Sequence, residues 1–103
     1  MIDRVFSKNG IPIRLTDERW SHIVEEHAEL AGMRRDVLEA VNEPKRVLQG
    51  NQGSLMAVHE MEAGKFLVVV YTERRDDGFI ITAFLTRRAS SLNRRKQTWP
   101  KLP

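Results

Sequence analysis

The chain has 103 residues, 41% of them apolar and 30% charged, with a formal net charge of +3. That length bounds one domain with one core, and the composition is that of a globular protein rather than a disordered chain. Cysteine is absent, which excludes disulfides, thiolate zinc sites, iron–sulfur clusters and cysteine nucleophiles and permits a reducing compartment. Asp3, Arg4 and Lys8 interrupt the first residues, so they do not read as a signal peptide. The longest apolar run, Phe66–Tyr71, is far too short to span a bilayer. A cytoplasmic protein without membrane contact is expected.

Charge is unevenly spread. Residues 1–77 hold 11 Lys/Arg against 14 Asp/Glu, whereas residues 78–103 hold 6 Lys/Arg and no acid. A basic end is an electrostatic handle for a polyanion. It is equally the composition of a solvated tail.

In chain order, Arg4–Phe6 and Ile11–Leu15 read as two short extended segments around the turn dipeptide Asn9-Gly10. Thr16 or Asp17 caps a helix whose apolar face is Trp20, Ile23, Val24 and His27, at i, i+3, i+4 and i+7. Ala31-Gly32 breaks that pattern. A second helix is expected from about Met33 to Asn42, and Pro44 stops it. From Lys45 the period becomes extended. Strands are expected at Arg46–Gln49, Ser54–Met61, Lys65–Thr72 and Phe79–Thr86, separated by short turns. The last two are apolar on both faces and belong at the sheet centre.

Short turns between successive strands imply antiparallel pairing. The expected fold is therefore α+β. Two N-terminal helices pack on one face of a mostly antiparallel four-stranded sheet, with a short N-terminal hairpin or extended arm. Residues 1–88 form the domain and residues 89–103 a basic C-terminal tail, with Trp99-Pro100 available to tack it back.

Several side chains suit phosphate chemistry. His27 ends its helical face at the margin of the core, and a histidine gives and takes protons near neutrality; a structural histidine at a helix end fits the same spacing. Thr82 puts a hydroxyl in an apolar strand, where it either meets a phosphate oxygen or fills space as a β-branched residue. Arg46 opens a strand, and Arg87 and Arg88 close another. The guanidinium fork matches phosphate, although arginine at strand ends is also ordinary surface. Tyr71, the only tyrosine, is suited either to stacking on a base or to packing at the core edge. Trp99 lies among Arg94, Arg95, Lys96 and Lys101. His22 falls on the solvent side of its helix, and nothing in the spacing brings His22, His27 and His59 together as a metal site. No phosphate-binding glycine loop or zinc-protease motif occurs.

The helix RLTDERWSHIVEEHAEL, the segment LEAVNEPKRVLQG and the strand pair FLVVVYTE…GFIITAFLT together resemble small toxin-type and phage-type domains of the barnase–EndoU–colicin–RelE superfamily. The resemblance runs from about Ile13 to Arg88 and is carried by short motifs: the helix-ending "EH", the "EP…V" strand entry and the "ITA" strand. It implies helices on a four-stranded antiparallel sheet and metal-independent RNA cleavage by the ribose 2′-hydroxyl, with no cofactor. By that resemblance His27, Arg46 and Thr82 are the catalytic set, His27 as base or acid and the other two on the phosphate. Tyr71, Arg87 and Arg88 assist in substrate binding. His59 and Glu60 are unplaced candidates for a second acid. RNA is the expected partner, and an antitoxin or immunity protein a further one. A non-catalytic RNA-binding or protein-interaction module with the same fold is the alternative.

Overall fold

The structure, a computed structural model, describes residues 1–102. Strands β1 (Ile2–Phe6) and β2 (Pro12–Thr16) form an antiparallel hairpin. Its tight turn is closed by the Gly10 amide donating to the Ser7 carbonyl at 2.9 Å. Gly10 has φ +78°, a left-handed conformation that glycine adopts without cost. Helix α1 (Asp17–Glu26) follows β2 with no intervening loop. Thr16 is its cap: Oγ1 accepts the Arg19 amide at 3.1 Å, satisfying a donor left free at the helix start. A single 3₁₀ turn (Ala28–Leu30) leads to α2 (Arg34–Asn42). Then come β3 (Arg46–Gln49), β4 (Leu55–Glu62), β5 (Lys65–Arg74) and β6 (Asp77–Thr86). Short helix α3 (Ala89–Asn93) and strand β7 (Gln97–Trp99) end the chain.

All the strands lie in one mixed sheet of order β1-β2-β6-β5-β4-β3-β7. This corrects the expected architecture of two helices on a four-stranded sheet, with the N-terminal hairpin or arm and the basic C-terminal tail outside it. The sheet has seven strands and the chain has a third α-helix. The N-terminal hairpin is part of the sheet, because β2 pairs in parallel with the start of β6 through Ile13↔Gly78 and Arg14↔Phe79. The expected tail supplies α3 and β7, and β7 covers the open edge of β3. A three-residue strand carries no readable period, so only the edge it meets reveals it.

The sheet buries both faces at its centre. On one face α1 and α2 press Ile23, Val37 and Val41 onto Ile13, Leu15, Leu67, Val69 and Ile80. On the other, Leu92 of α3 covers Leu48, Met56, Val58, Phe66 and Val68. Arg34 ties α2 to the hairpin. Its guanidinium donates to Asp3 at 2.9 Å, Asp17 at 2.7 Å and the Leu15 carbonyl at 3.4 Å. No helix is long and apolar enough to cross a membrane among the described residues.

Where β6 runs between β5 and β2 there is no room for a side chain at Gly78. A Cβ there would stand 2.3 Å from the Thr72 carbonyl oxygen and 2.7 Å from Ile13 Cδ1. Gly78→Ala is therefore expected to destabilise the fold by about 1–3 kcal/mol, as overpacking does. Thermal unfolding checks this, with a fall in Tm of roughly 5–20 °C for a domain of this size. An unchanged Tm would show that β6 is not held this closely between β5 and β2 at Gly78.

Candidate nucleic-acid interface

The position of Thr82 depends on a bulge. Tyr71 pairs with Ile80, but the neighbouring Val70 pairs with Thr82, so Ile81 is an extra residue on β6. In regular pleating Ile80 and Thr82 point the same way. Here Ile80 is in the core under α1 and α2, while Thr82 shares a rung with Val70 on the face of α3. Phe84 and Thr86 follow Thr82 on that face by the two-residue period.

His27 approaches the same row from the side. Beyond Phe79, β6 has no β2 partner, and α1 packs beside it instead. His27 is the C-terminal cap of α1, its amide donating to the Ile23 carbonyl at 2.8 Å. Its side chain is 32% exposed, its Nδ1 lies 3.7 Å from a Glu29 carboxylate oxygen, and its ring centroid lies 6.3 Å from that of Phe84. So the imidazole stands at the β6 edge, beside the residue that separates Thr82 from Thr86. The other end of the row is basic. The Arg88 amide donates to Thr86 Oγ1 at 3.1 Å, and Arg88 borders a depression of about 340 Å³ with Phe84, Thr86, Ser91 and Arg95.

The remaining expected residues are spread out. Arg46 is on the same face, opposite Val58, and donates to Asn93 Oδ1 at 2.8 Å. It is three strands from β6, about 14 Å by ordinary strand spacing. There it lines a wider basic depression with Arg95, Lys96 and Lys101. Arg87 is exposed and bound to Glu62 at 3.1 Å. Tyr71 is on the opposite face, 1% exposed, and lines a cavity of about 310 Å³ with Lys8, Asn9, Glu73, Thr98 and Trp99. Burial pushes its phenol well above the ordinary range, and the Glu73 charge adds to that. It is a neutral hydroxyl under any physiological condition. His27, Thr82 and Arg88 thus fall along one row, Arg46 lies farther out on the same face, and Tyr71 and Arg87 are elsewhere. Phe84, Thr86 and Arg95 were not singled out in the sequence. The alternation T-x-F-x-T was a readable signal for the first two; Arg95 was one cation among several.

The face is electropositive because its cations lack acidic neighbours. Among the described residues, Arg87 is the only cation after position 78 in an ion pair. Arg95 donates instead to the neutral Gln49 carbonyl and Asn51 side chain. Glu60, the acid on this side of β4, is matched by Lys45 at 2.6 Å. That hydrogen bond, followed by one from the Gly64 amide, holds the Glu60 carboxyl below its usual range. No three His, Asp or Glu side chains converge as metal ligands among the described residues. Comparison with protein-family models, with curated proteins and with solved structures returned no match.

Removing these cations should weaken binding to any polyanion. Arg88→Gln and Arg95→Gln are each expected to elute from a heparin column at lower salt than wild type, and Tyr71→Phe to co-elute with wild type. Earlier elution of Tyr71→Phe alone would move the basic interface to the other face.

Proposed function

We propose that this chain is a metal-independent RNA-cleaving domain of the barnase–EndoU–colicin–RelE kind, working on the α3 face of the sheet. The observation that carries the reading is the bulge at Ile81, because it turns Thr82 to the face where His27 meets Phe84 and where Arg88 begins. The chemistry asks for a base near a ribose 2′-hydroxyl and donors around the adjacent phosphate. His27 takes the 2′-hydroxyl proton as the 2′-oxygen attacks phosphorus. The bond to the 5′-oxygen breaks, and that oxygen leaves as a hydroxyl with a proton drawn from solvent. The products are a 2′,3′-cyclic phosphate and a free 5′-hydroxyl. Thr82 and Thr86 donate to phosphate oxygens, and Arg88 offsets the charge that builds there. Arg46, Arg95 and Lys96 hold outlying phosphates of the strand rather than the reacting one. A neutralising partner protein, if the domain is a toxin, would present an acidic surface to this face.

A second reading is a non-catalytic RNA-binding module. It is favoured by the surroundings of His27: its nearest ionisable partner is Glu29, on the adjoining 3₁₀ turn, and Arg46 stands three strands away.

Incubation with total RNA and tRNA in EDTA separates the two. Wild type is expected to cleave, leaving 2′,3′-cyclic phosphate ends. His27→Ala, shown folded by circular dichroism, is expected to lose roughly 10²–10⁴-fold in rate, the usual share of a general acid or base. An undiminished rate in His27→Ala would remove His27 from the chemistry. Salt-sensitive RNA binding without cleavage by wild type would establish the binding module.

A further inference from the structure

The α3 face continues past Thr82 to the β1 end of the sheet, where no helix covers it. Ile13 and Leu15 point into the core under α1 and α2. Arg14, between them, therefore stands on the opposite face. Arg4 is directly across from Arg14, so Arg4, Ile2 and Phe6 share that face. Phe79, paired with Arg14, joins them, and so does Arg74 by its two-residue spacing from Thr72, the partner of Phe79.

Phe6 is 61% exposed and Ile2 49% exposed. Phe79 is half-buried and flanked by two guanidiniums, Arg14 at 5.4 Å and Arg74 at 5.3 Å from the ring centroid. Asp77 is bound to Arg14, and among the described residues neither Arg4 nor Arg74 is in an ion pair. Neighbouring exposed apolar groups on one sheet face, rimmed by polar residues, mark interaction sites, and here they alternate with cations. That combination matches a strand with flat bases and a charged backbone: aromatic rings stack on bases of any sequence, and arginines meet phosphates or stack in turn. A duplex keeps its base faces occupied and offers only edges and backbone.

We infer that Phe6 and Phe79, with Arg4, Arg14 and Arg74, form a base-stacking platform that holds single-stranded RNA beside the His27–Thr82 row. The inference rests on the RNA reading above and names the form of its substrate. The two rings are on strands separated by β2 and offset by two residues along them, roughly 12 Å apart by strand spacing and rise, so unstacked bases of one strand can reach both. The platform lies upstream of Thr82 on β6 and the Arg88–Arg95 cations lie beyond it. A strand bound along β6 would therefore pass the catalytic row between its two anchors.

The test uses a fluorescent 2′-O-methyl RNA oligonucleotide, single-stranded or annealed to its complement. It has no free 2′-hydroxyl and cannot be cleaved by the proposed chemistry, so binding is read apart from catalysis. Phe6→Ala removes an exposed ring, and Phe79→Leu keeps apolar volume where the residue is half-buried. Each is expected to weaken single-strand binding about ten-fold, the usual loss of one stacked base. Duplex binding should change by less than two-fold, and Tm should be retained. Equal losses for duplex and single strand, unchanged single-strand affinity, or no binding of the probe by wild type would each overturn the platform. So would a wild-type dimer in sedimentation that Phe6→Ala converts to monomer, since the face would then be occupied by a second copy. Cleavage of RNA with Phe6→Ala and Phe79→Leu binding like wild type would overturn the platform alone. Selective loss of single-strand binding in a protein that never cleaves would uphold the platform and overturn the cleavage reading alone.

Discussion

The close approach of β2 to β6 at Gly78 governs most of what surrounds it. Parallel pairing through Ile13 and Arg14 brings the N-terminal hairpin into the sheet, and the missing side chain at 78 leaves room for the Thr72 carbonyl of β5 on one side and the Ile13 side chain of β2 on the other. Because α1 starts at the residue after β2, the direction of β2 also aims α1. The pairing stops at Phe79, so α1 fills the space beside β6 that a longer β2 would have taken. His27 arrives at the β6 edge for that reason. Arg34 reinforces the arrangement from the other side, joining α2 to β1 through Asp3, to the start of α1 through Asp17 and to β2 through a carbonyl. Its partly buried guanidinium makes three bonds with one side chain, which is better geometry than an isolated surface pair achieves.

The Ile81 bulge does for side chains what Gly78 does for elements. One inserted residue exchanges the faces of everything after it on β6. Ala83 and Leu85 go to the core beneath the long helices, and Thr82, Phe84 and Thr86 go to the α3 side. The hydroxyls consequently avoid the larger of the two apolar cores, where an unbonded hydroxyl is costly. The same register shift gives the sheet one face of helix-covered hydrocarbon and another in which threonine, arginine and aromatic side chains are gathered.

The helices and central strands were legible because each has a strong local cause. Thr16 caps, Ile23 and Val41 repeat at helical spacing, Pro44 stops, and the run at 66–71 is apolar on both faces as the middle strand of a sheet must be. The strand count was not legible. Pairing of β2 with β6 is decided by contact across more than sixty residues, and β7 is too short to have a pattern and is ordered by the β3 edge. The site divides along the same line. His27 and Thr82 stood out by residue type. What brings them to one row is a bulge, and a strand that is apolar on both faces hides a bulge, since either phase of the alternation looks acceptable. Tyr71 was assigned to substrate for its ring, whereas burial under α2 and β7 turned it into part of the other face.

Charge placement separates the two faces more sharply than composition does. On the helix side, Lys8 pairs with Glu43 and Arg34 with Asp3 and Asp17, while the Glu73 carboxylate accepts from Ser7 and Asn9. On the α3 side, Arg46 and Arg95 bond neutral oxygens. A guanidinium bonded to an amide or carbonyl oxygen is held in place while keeping its full charge, and a guanidinium bonded to a carboxylate is held in place by giving most of that field away. Stability alone does not favour the first arrangement, since carboxylates at these positions would relieve the repulsion among Arg46, Arg95, Lys96 and Lys101. Under the proposed reading, the RNA strand is the energetic complement of a face built with fixed, unneutralised cations next to aromatic rings. For that reason the α3 face, and not the larger apolar core on the other side of the sheet, is where the function of this fold should be sought.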